Sequence, residues 1–246
     1  LAHELAYRSV VRTVVEGRIS RIGRGFALVV RVLDVDSAKV VLSVSDAAKS
    51  EDQLIPAVER IMHRLREGLG EQHSALRSTQ GFALLAEVTT PSFEAYRKYR
   101  QAMRLHNSAR DGRALAVARE ALALDPGFAA AWDMMGICYS NLGYADSAAA
   151  AWRRALQLGS GMADVWRLNV QAHLAETAGD YQATVELLDR ALELAPNRLG
   201  PNVSRGNVLW LLGRYDEALA SYRHAAESCA FGPPQGLIVN MTEILV

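Results

Sequence analysis

Small residues recur in the second half of the chain at a spacing near 34, and that spacing constrains the fold more than any other feature. Ala114 and Ala148 are 34 residues apart, as are Thr184 and Ala218, while Ala148 and Thr184 are 36 apart. The same pattern surrounds each. The best unit carries Trp132, Met135, Gly136 and Tyr139, then Ala148, Trp152 and Ala155. The last carries Gly206, Leu209 and Gly213, then Ala218, Tyr222 and Ala225. In the first unit Ala102 takes the glycine place, followed by Ala114, Ala118, Ala121 and Pro126. In the third Ala172 takes it, followed by Gly179, Thr184, Leu188, Ala191 and Pro196. Self-similarity at this period describes stacked helical hairpins, each needing its neighbours to bury its apolar face. Small residues belong where the two helices of a hairpin cross, and aromatic ones fill the gap to the next unit. The two extra residues fall at Gly159-Ser160-Gly161.

Before residue 90 the period is different. Thr13 to Ile19 is rich in β-branched residues, Gly23-Arg24-Gly25 reads as a turn, and Phe26, Leu28, Val30 and Val32 alternate on one face of a second strand. Asp34 to Ser37 makes the next turn and Lys39 to Ser45 a third strand, so an antiparallel meander is expected. Leu54, Ile55, Val58, Ile61, Met62, Leu65 and Leu69 then recur at helical spacing, with Ser50 as a start and Gly70 as a stop. Leu1 to Val10 reads as a further short helix. The fold class is therefore an α+β piece, a meander with helices, followed by an all-α solenoid. The boundaries expected are 1–78 for the first piece, 79–92 for a linker, and about 93–128, 129–162, 163–198 and 199–230 for four hairpins. Residues 231–246 read as a partial fifth repeat or cap.

Composition excludes several classes. Twenty-seven basic residues balance 27 acidic ones, so no whole-chain footprint for nucleic acid or anionic lipid exists. Cys138 and Cys229 lie far apart without partners at metal-ligand spacing, which argues against a disulfide framework and a zinc site, and no cofactor is expected. The apolar runs, such as Phe26 to Val30, are too short to span a bilayer. Gly23-Arg24-Gly25-Phe26-Ala27-Leu28 lacks the third glycine of a kinase phosphate loop, and none of the other kinase motifs follows. His3, His63, His73, His106, His173 and His224 form no pair at i, i+4. The chain is read as non-catalytic.

Residues 93–230, on the residues quoted above, resemble tetratricopeptide repeats. Residues 1–78 resemble the later part of the TolB N-terminal-like domain. The resembling residues are Leu5-Ala6-Tyr7-Arg8-Ser9-Val10, Val14 to Ile19, Leu28 to Asp34 and Leu65 to Glu71, with Thr89-Thr90-Pro91-Ser92-Phe93-Glu94-Ala95-Tyr96 completing the match. The pairing implies a bacterial protein, on either the cytoplasmic or the extracytoplasmic side of a membrane. Its parent would be a serine/threonine kinase, an adenylate cyclase or a related regulator, with further chain before Leu1. The repeat resemblance implies a protein-interaction module, whose ligand lies in a groove lined by the first helix of each hairpin. Carried onto this chain, the groove takes Tyr96, Tyr99, Met103, His106 and Asn107 from the first unit and Asp133, Ile137, Ser140 and Asn141 from the second. Trp166, Asn169, His173 and Glu176 come from the third, and Val203, Asn207 and Trp210 from the fourth. Trp166 and Trp210 have a second reading as packing residues between hairpins. The lysine and arginine clamp that holds a terminal carboxylate in some relatives is missing, since Tyr99, Met103 and Met134 stand in its place. The expected partner is a protein or peptide, with no nucleic acid and no membrane insertion. Self-association through the open last repeat is a further expectation, since an uncapped stack exposes apolar surface.

Overall fold

The structure is a computed structural model that describes residues 13–70, 90–229, 237–238 and 241–242. The helix expected over 1–10, most of the 79–92 linker and much of the 231–246 tail lie outside these residues. The chain divides into two compact units, Leu1–Thr79 and Gln80–Val246.

The first unit holds a three-stranded antiparallel meander in the order β1 (Thr13–Ile22), β2 (Gly25–Asp34), β3 (Val40–Ala48). Ile22 pairs with Gly25, so the first hairpin closes over two residues, and Gly23 has a φ of 60° that glycine adopts without strain. The second turn is tied by Asp34, whose Oδ1 accepts from the Ser37 N–H at 2.7 Å and the Ser37 hydroxyl at 2.6 Å. Leu28 and Val32 on β2 share the buried face with Val44 and Ala48 on β3. Helix α1 (Leu54–Gly68) lies on that face through Leu54, Ile55, Ala57, Ile61 and Leu65, mostly over β3. Gly68 abuts Leu42 so closely that a Cβ there would overlap it. Asp46 on β3 pairs with Arg60 at 2.7 Å and Arg64 at 3.2 Å, and the Arg60 hydrogen bond holds its carboxyl below the usual range. β1 remains largely exposed.

The second unit is a run of helical hairpins. Helices α2 (Phe93–His106) and α3 (Asp111–Leu124) form the first, α4 (Ala129–Asn141) and α5 (Ala145–Leu158) the second. Helices α6 (Asp164–Thr177) and α7 (Tyr181–Leu194) form the third, α8 (Leu199–Leu211) and α9 (Tyr215–Glu227) the fourth. The recurring small residues do sit at the crossings: Ala102, Ala114, Ala148, Ala172, Thr184 and Ala218 are completely buried. At Gly136 an added Cβ would overlap the Trp152 ring, and at Gly206 the Tyr222 ring. Thr184 is tolerated because its hydroxyl donates to the Asp180 carbonyl at 2.8 Å. Arg205 ties α8 to both neighbouring helices, with Nε 2.6 Å from Asp189 and a guanidinium N–H donating to the Ser221 hydroxyl at 2.8 Å.

Every first helix ends in the same left-handed cap. Gly143, Gly179 and Gly213 have φ of 81°, 79° and 74°, and the following N–H returns to the helix, as from Tyr144 to the Tyr139 carbonyl at 2.9 Å. The first hairpin places Ala109 there at φ 54°, with the matching Arg110 N–H to Leu105 carbonyl bond at 2.9 Å. Among the described residues two large apolar clusters and one small one fill the stack. The first runs from Ala95 to Val170 and the second from Ala172 to Leu237, so they meet within α6, where Val165 and Leu168 also form the small cluster with Ala191. Leu237 is buried in the second, and Met241 packs against it.

Ala109→Gly relieves the one side chain held in the left-handed cap. It should stabilise the chain by about 0.5–1 kcal/mol. Gly206→Ala forces a methyl against Tyr222 and should destabilise it by about 1–3 kcal/mol. Urea titration of both variants beside the parent checks the two signs together.

Candidate partner-binding face of the first helices

The residues nominated for a groove lie on α2, α4, α6 and α8, and the structure divides them by what they touch. Asp133 is buried on α4, and both its carboxylate oxygens are occupied. Oδ1 accepts from the Trp152 indole N–H at 3.0 Å and Oδ2 from the Trp166 indole N–H at 2.9 Å. Trp152 belongs to the second helix of the same hairpin and reaches Asp133 across the notch that Gly136 leaves. Trp166 comes from the next hairpin. Asp133 and Trp166 thus differ from the expectation: they knot two hairpins together and present no free polar group. Of the two readings of Trp166, packing is the one observed. Burial pushes the Asp133 carboxyl above its ordinary range, against the opposing pull of nearby His173 and the two indoles.

His173 lies on the knot. Its ring stacks on Trp152 at 4.9 Å with an interplanar angle of 16°. Asn169 sits one turn earlier with Nδ2 3.1 Å from His173 Nε2, and its Oδ1 is buried without a hydrogen-bond partner. His173 Nδ1 lies 4.0 Å from a Glu176 carboxylate oxygen.

In the first hairpin Tyr96, Tyr99 and Phe128 form a chain of rings, with centroids 6.4 Å and 5.1 Å apart. Burial raises the Tyr99 hydroxyl pKa well above its usual value. Met103 and Ile137 are half-buried beside this cluster. His106 and Asn141 converge instead on Asp111 at the start of α3, at 2.7 Å and 3.1 Å, so both fasten the turn ends of neighbouring hairpins. Cys138 lies beneath, its thiol pushed up to about 12 by burial and then by Asp111. In the fourth hairpin Asn207, the residue after Gly206, accepts the Tyr222 hydroxyl at 2.7 Å, so there too an aromatic ring packed on a glycine bonds a polar group of the first helix. Asn107 and Ser140 are exposed, Val203 is half-buried, and Trp210 is 40% exposed.

The face therefore presents Tyr96, Tyr99, Met103, Ile137, His173 and Trp210, with Asn169 bonded to the His173 ring. Sequence reasoning missed the polar role of Trp152, which it placed among the aromatic residues that fill the gap to the next unit. The signal was a tryptophan facing a glycine on the partner helix, with an aspartate one helical turn before that glycine. Among the described residues, no group of three or more His, Cys, Asp or Glu side chains could hold a metal, and no helix is long and apolar enough to cross a membrane.

Residues 202–230, the fourth hairpin, match the tetratricopeptide repeat family. No curated protein matches the chain in sequence. Among solved structures the chain is similar to YrrB, described as a TPR protein with an unusual peptide-binding site, at 22% identity over 67% of this chain and 80% of that one, with a TM-score of 0.35. It is also similar to TTC0263, a thermophilic TPR protein of Thermus thermophilus, at 18% identity over 61% and 80%, with a TM-score of 0.41. A tetratricopeptide repeat protein from Parabacteroides merdae ATCC 43184 is 18% identical over 79% and 69%, with a TM-score of 0.44.

Asp133→Asn tests the knot. An amide can accept from one indole and turns its own N–H toward the other, so the variant should lose about 1–3 kcal/mol at pH 4. The folded carboxyl has a raised pKa, so the parent's advantage is fully present below the ordinary aspartate value. It shrinks as pH climbs through the folded value. Urea unfolding of both chains from pH 4 to pH 8 should show the gap narrowing; a gap that widens with pH contradicts this account.

Proposed function

We propose that the second unit is a non-catalytic interaction module that binds an extended peptide segment along the face of its first helices. The observation that carries this reading is the row of partly exposed aromatic and aliphatic side chains on α2, α4, α6 and α8. They are held in place by polar groups that bond one another rather than solvent. Rigid rings supply contact area at small entropic cost, and Asn169, bonded to the His173 ring, holds that ring in place among them. None of the presented residues is Lys or Arg, which favours an internal segment over a free C-terminal carboxylate.

A second reading rests on the resemblance of residues 1–78 to the TolB N-terminal-like domain. It makes the chain the regulatory part of a larger bacterial signalling protein. A kinase or cyclase domain encoded upstream of Leu1 would support it.

Panning the chain against a phage-displayed random peptide library tests the first reading. Enriched peptides should be apolar and aromatic, and should bind with measurable affinity in fluorescence anisotropy. Asn169→Ala combined with Trp210→Ala should weaken them at least roughly tenfold, about 1.4 kcal/mol, while Arg153→Ala on the exposed side of α5 should leave them unchanged. Equal binding by all three chains removes the face from consideration.

A further inference from the structure

Among the described residues β1 is the outer strand of its sheet, and β2 is the one strand paired with it. It runs ten residues without a bulge or a proline, and all but Val14 are exposed. Val15, Ile19 and Ile22 are 63%, 59% and 66% exposed. Val15 and Ile19 are the register partners of buried Val32 and Leu28. The apolar face of the sheet therefore continues past the cover of α1 onto a strand whose outer backbone groups face no other described strand. Such an edge is a template for another strand unless charge or shape forbids it.

We propose that β1 pairs antiparallel with β1 of a second copy of this chain, about a two-fold axis at Gly17. The sequence of the strand is self-complementary in that register. A two-fold axis normal to the sheet sets each residue opposite one on the same face, and near mid-strand it can pass through Glu16, Gly17 or Arg18. At Glu16 the axis opposes two glutamates. At Arg18 it opposes two arginines and sets Val15 against Arg21. At Gly17 it sets Glu16 against Arg18, Val15 against Ile19, Val14 against Ser20 and Thr13 against Arg21. Opposite charges and aliphatic side chains directly across an antiparallel pair favour pairing, and like charges oppose it.

The centre suits the axis. A Cβ built on Gly17 would meet nothing closer than Val30 Cγ2 at 4.0 Å, so the two glycines meet without side chains between them. Val15 and Ile19 of both copies then flank the axis on the face that α1 covers further in. They extend the buried core of one unit into that of the other.

The test is sedimentation equilibrium of the full 246-residue chain over a dilution series. The parent should dimerise reversibly. Glu16→Arg and Arg18→Glu each place two like-charge pairs across the axis and should each weaken the dimer at least roughly tenfold. Both positions are exposed; Arg18 faces Val29 on β2, so Arg18→Glu should match the parent in circular dichroism and melting, whereas Glu16→Arg also faces Arg31 in its own sheet and should keep the parent's circular dichroism but melt slightly lower. An equimolar mixture of the two variants should re-form a heterodimer, and the double variant Glu16→Arg/Arg18→Glu should again pair with itself. A parent that stays monomeric to about 1 mM, the weak end of specific association, overturns the proposal. So does a dimer indifferent to both reversals, such as one made through the last hairpin, or a mixture that stays apart.

Discussion

The close approach of two helices over a glycine or alanine is the contact on which the second unit depends. At Gly136 and Gly206 the missing side chain leaves a notch, and an aromatic ring from the opposite helix lies in it. The ring does more than fill space. Its polar atom bonds a polar group of the first helix, Trp152 with Asp133 and Tyr222 with Asn207. A packing rule thereby becomes a positioning rule, because whatever occupies the first-helix face is oriented by a residue on the second helix. In the second hairpin the arrangement reaches further, since Asp133 also takes the indole of Trp166 and joins adjacent repeats through one buried carboxylate. Burying such a group costs stability unless its acceptors are filled, and here they are.

Periodicity made the fold legible. Helices and strands fall where the small-residue and alternating patterns put them, because those patterns are set by 3.6-residue and two-residue geometry. The site was legible only as a set of positions. Asp133, Trp166, His106 and Asn141 occupy first-helix places that face outward in an idealised hairpin. Whether a side chain there turns to solvent or inward depends on residues tens of positions away, such as Trp152 and Asp111. Single-sequence spacing carries no information about their reach. Ala109 is a similar case. Its neighbours in the other hairpins are glycines, yet the cap bond from Arg110 holds the backbone left-handed without one.

The first unit shows the opposite limit. Alternation in β1 to β3 marks one apolar face, and the helix that follows is the obvious cover. Its apolar stripe is long enough for that task, but α1 lies mostly over β3, and Asp46 with Arg60 and Arg64 anchors it there. The width of the sheet exceeds what one helix can shield. The residual apolar edge is a matter of where the helix sits, which no pattern within the strands records.

The two large apolar clusters that meet inside α6 have a mechanical consequence. Trp166 and Val170 on its first turns belong to the cluster of the earlier hairpins, whereas Ala172, further along, belongs to the later one. A solenoid behaves as a chain of springs coupled through nearest neighbours, and here one helix serves as the rivet between two springs. Pulled from its ends, the stack cannot shed either half without stripping contacts from that shared helix. Tension should therefore concentrate in α6, and the extension at which the stack parts is set there rather than at the turns.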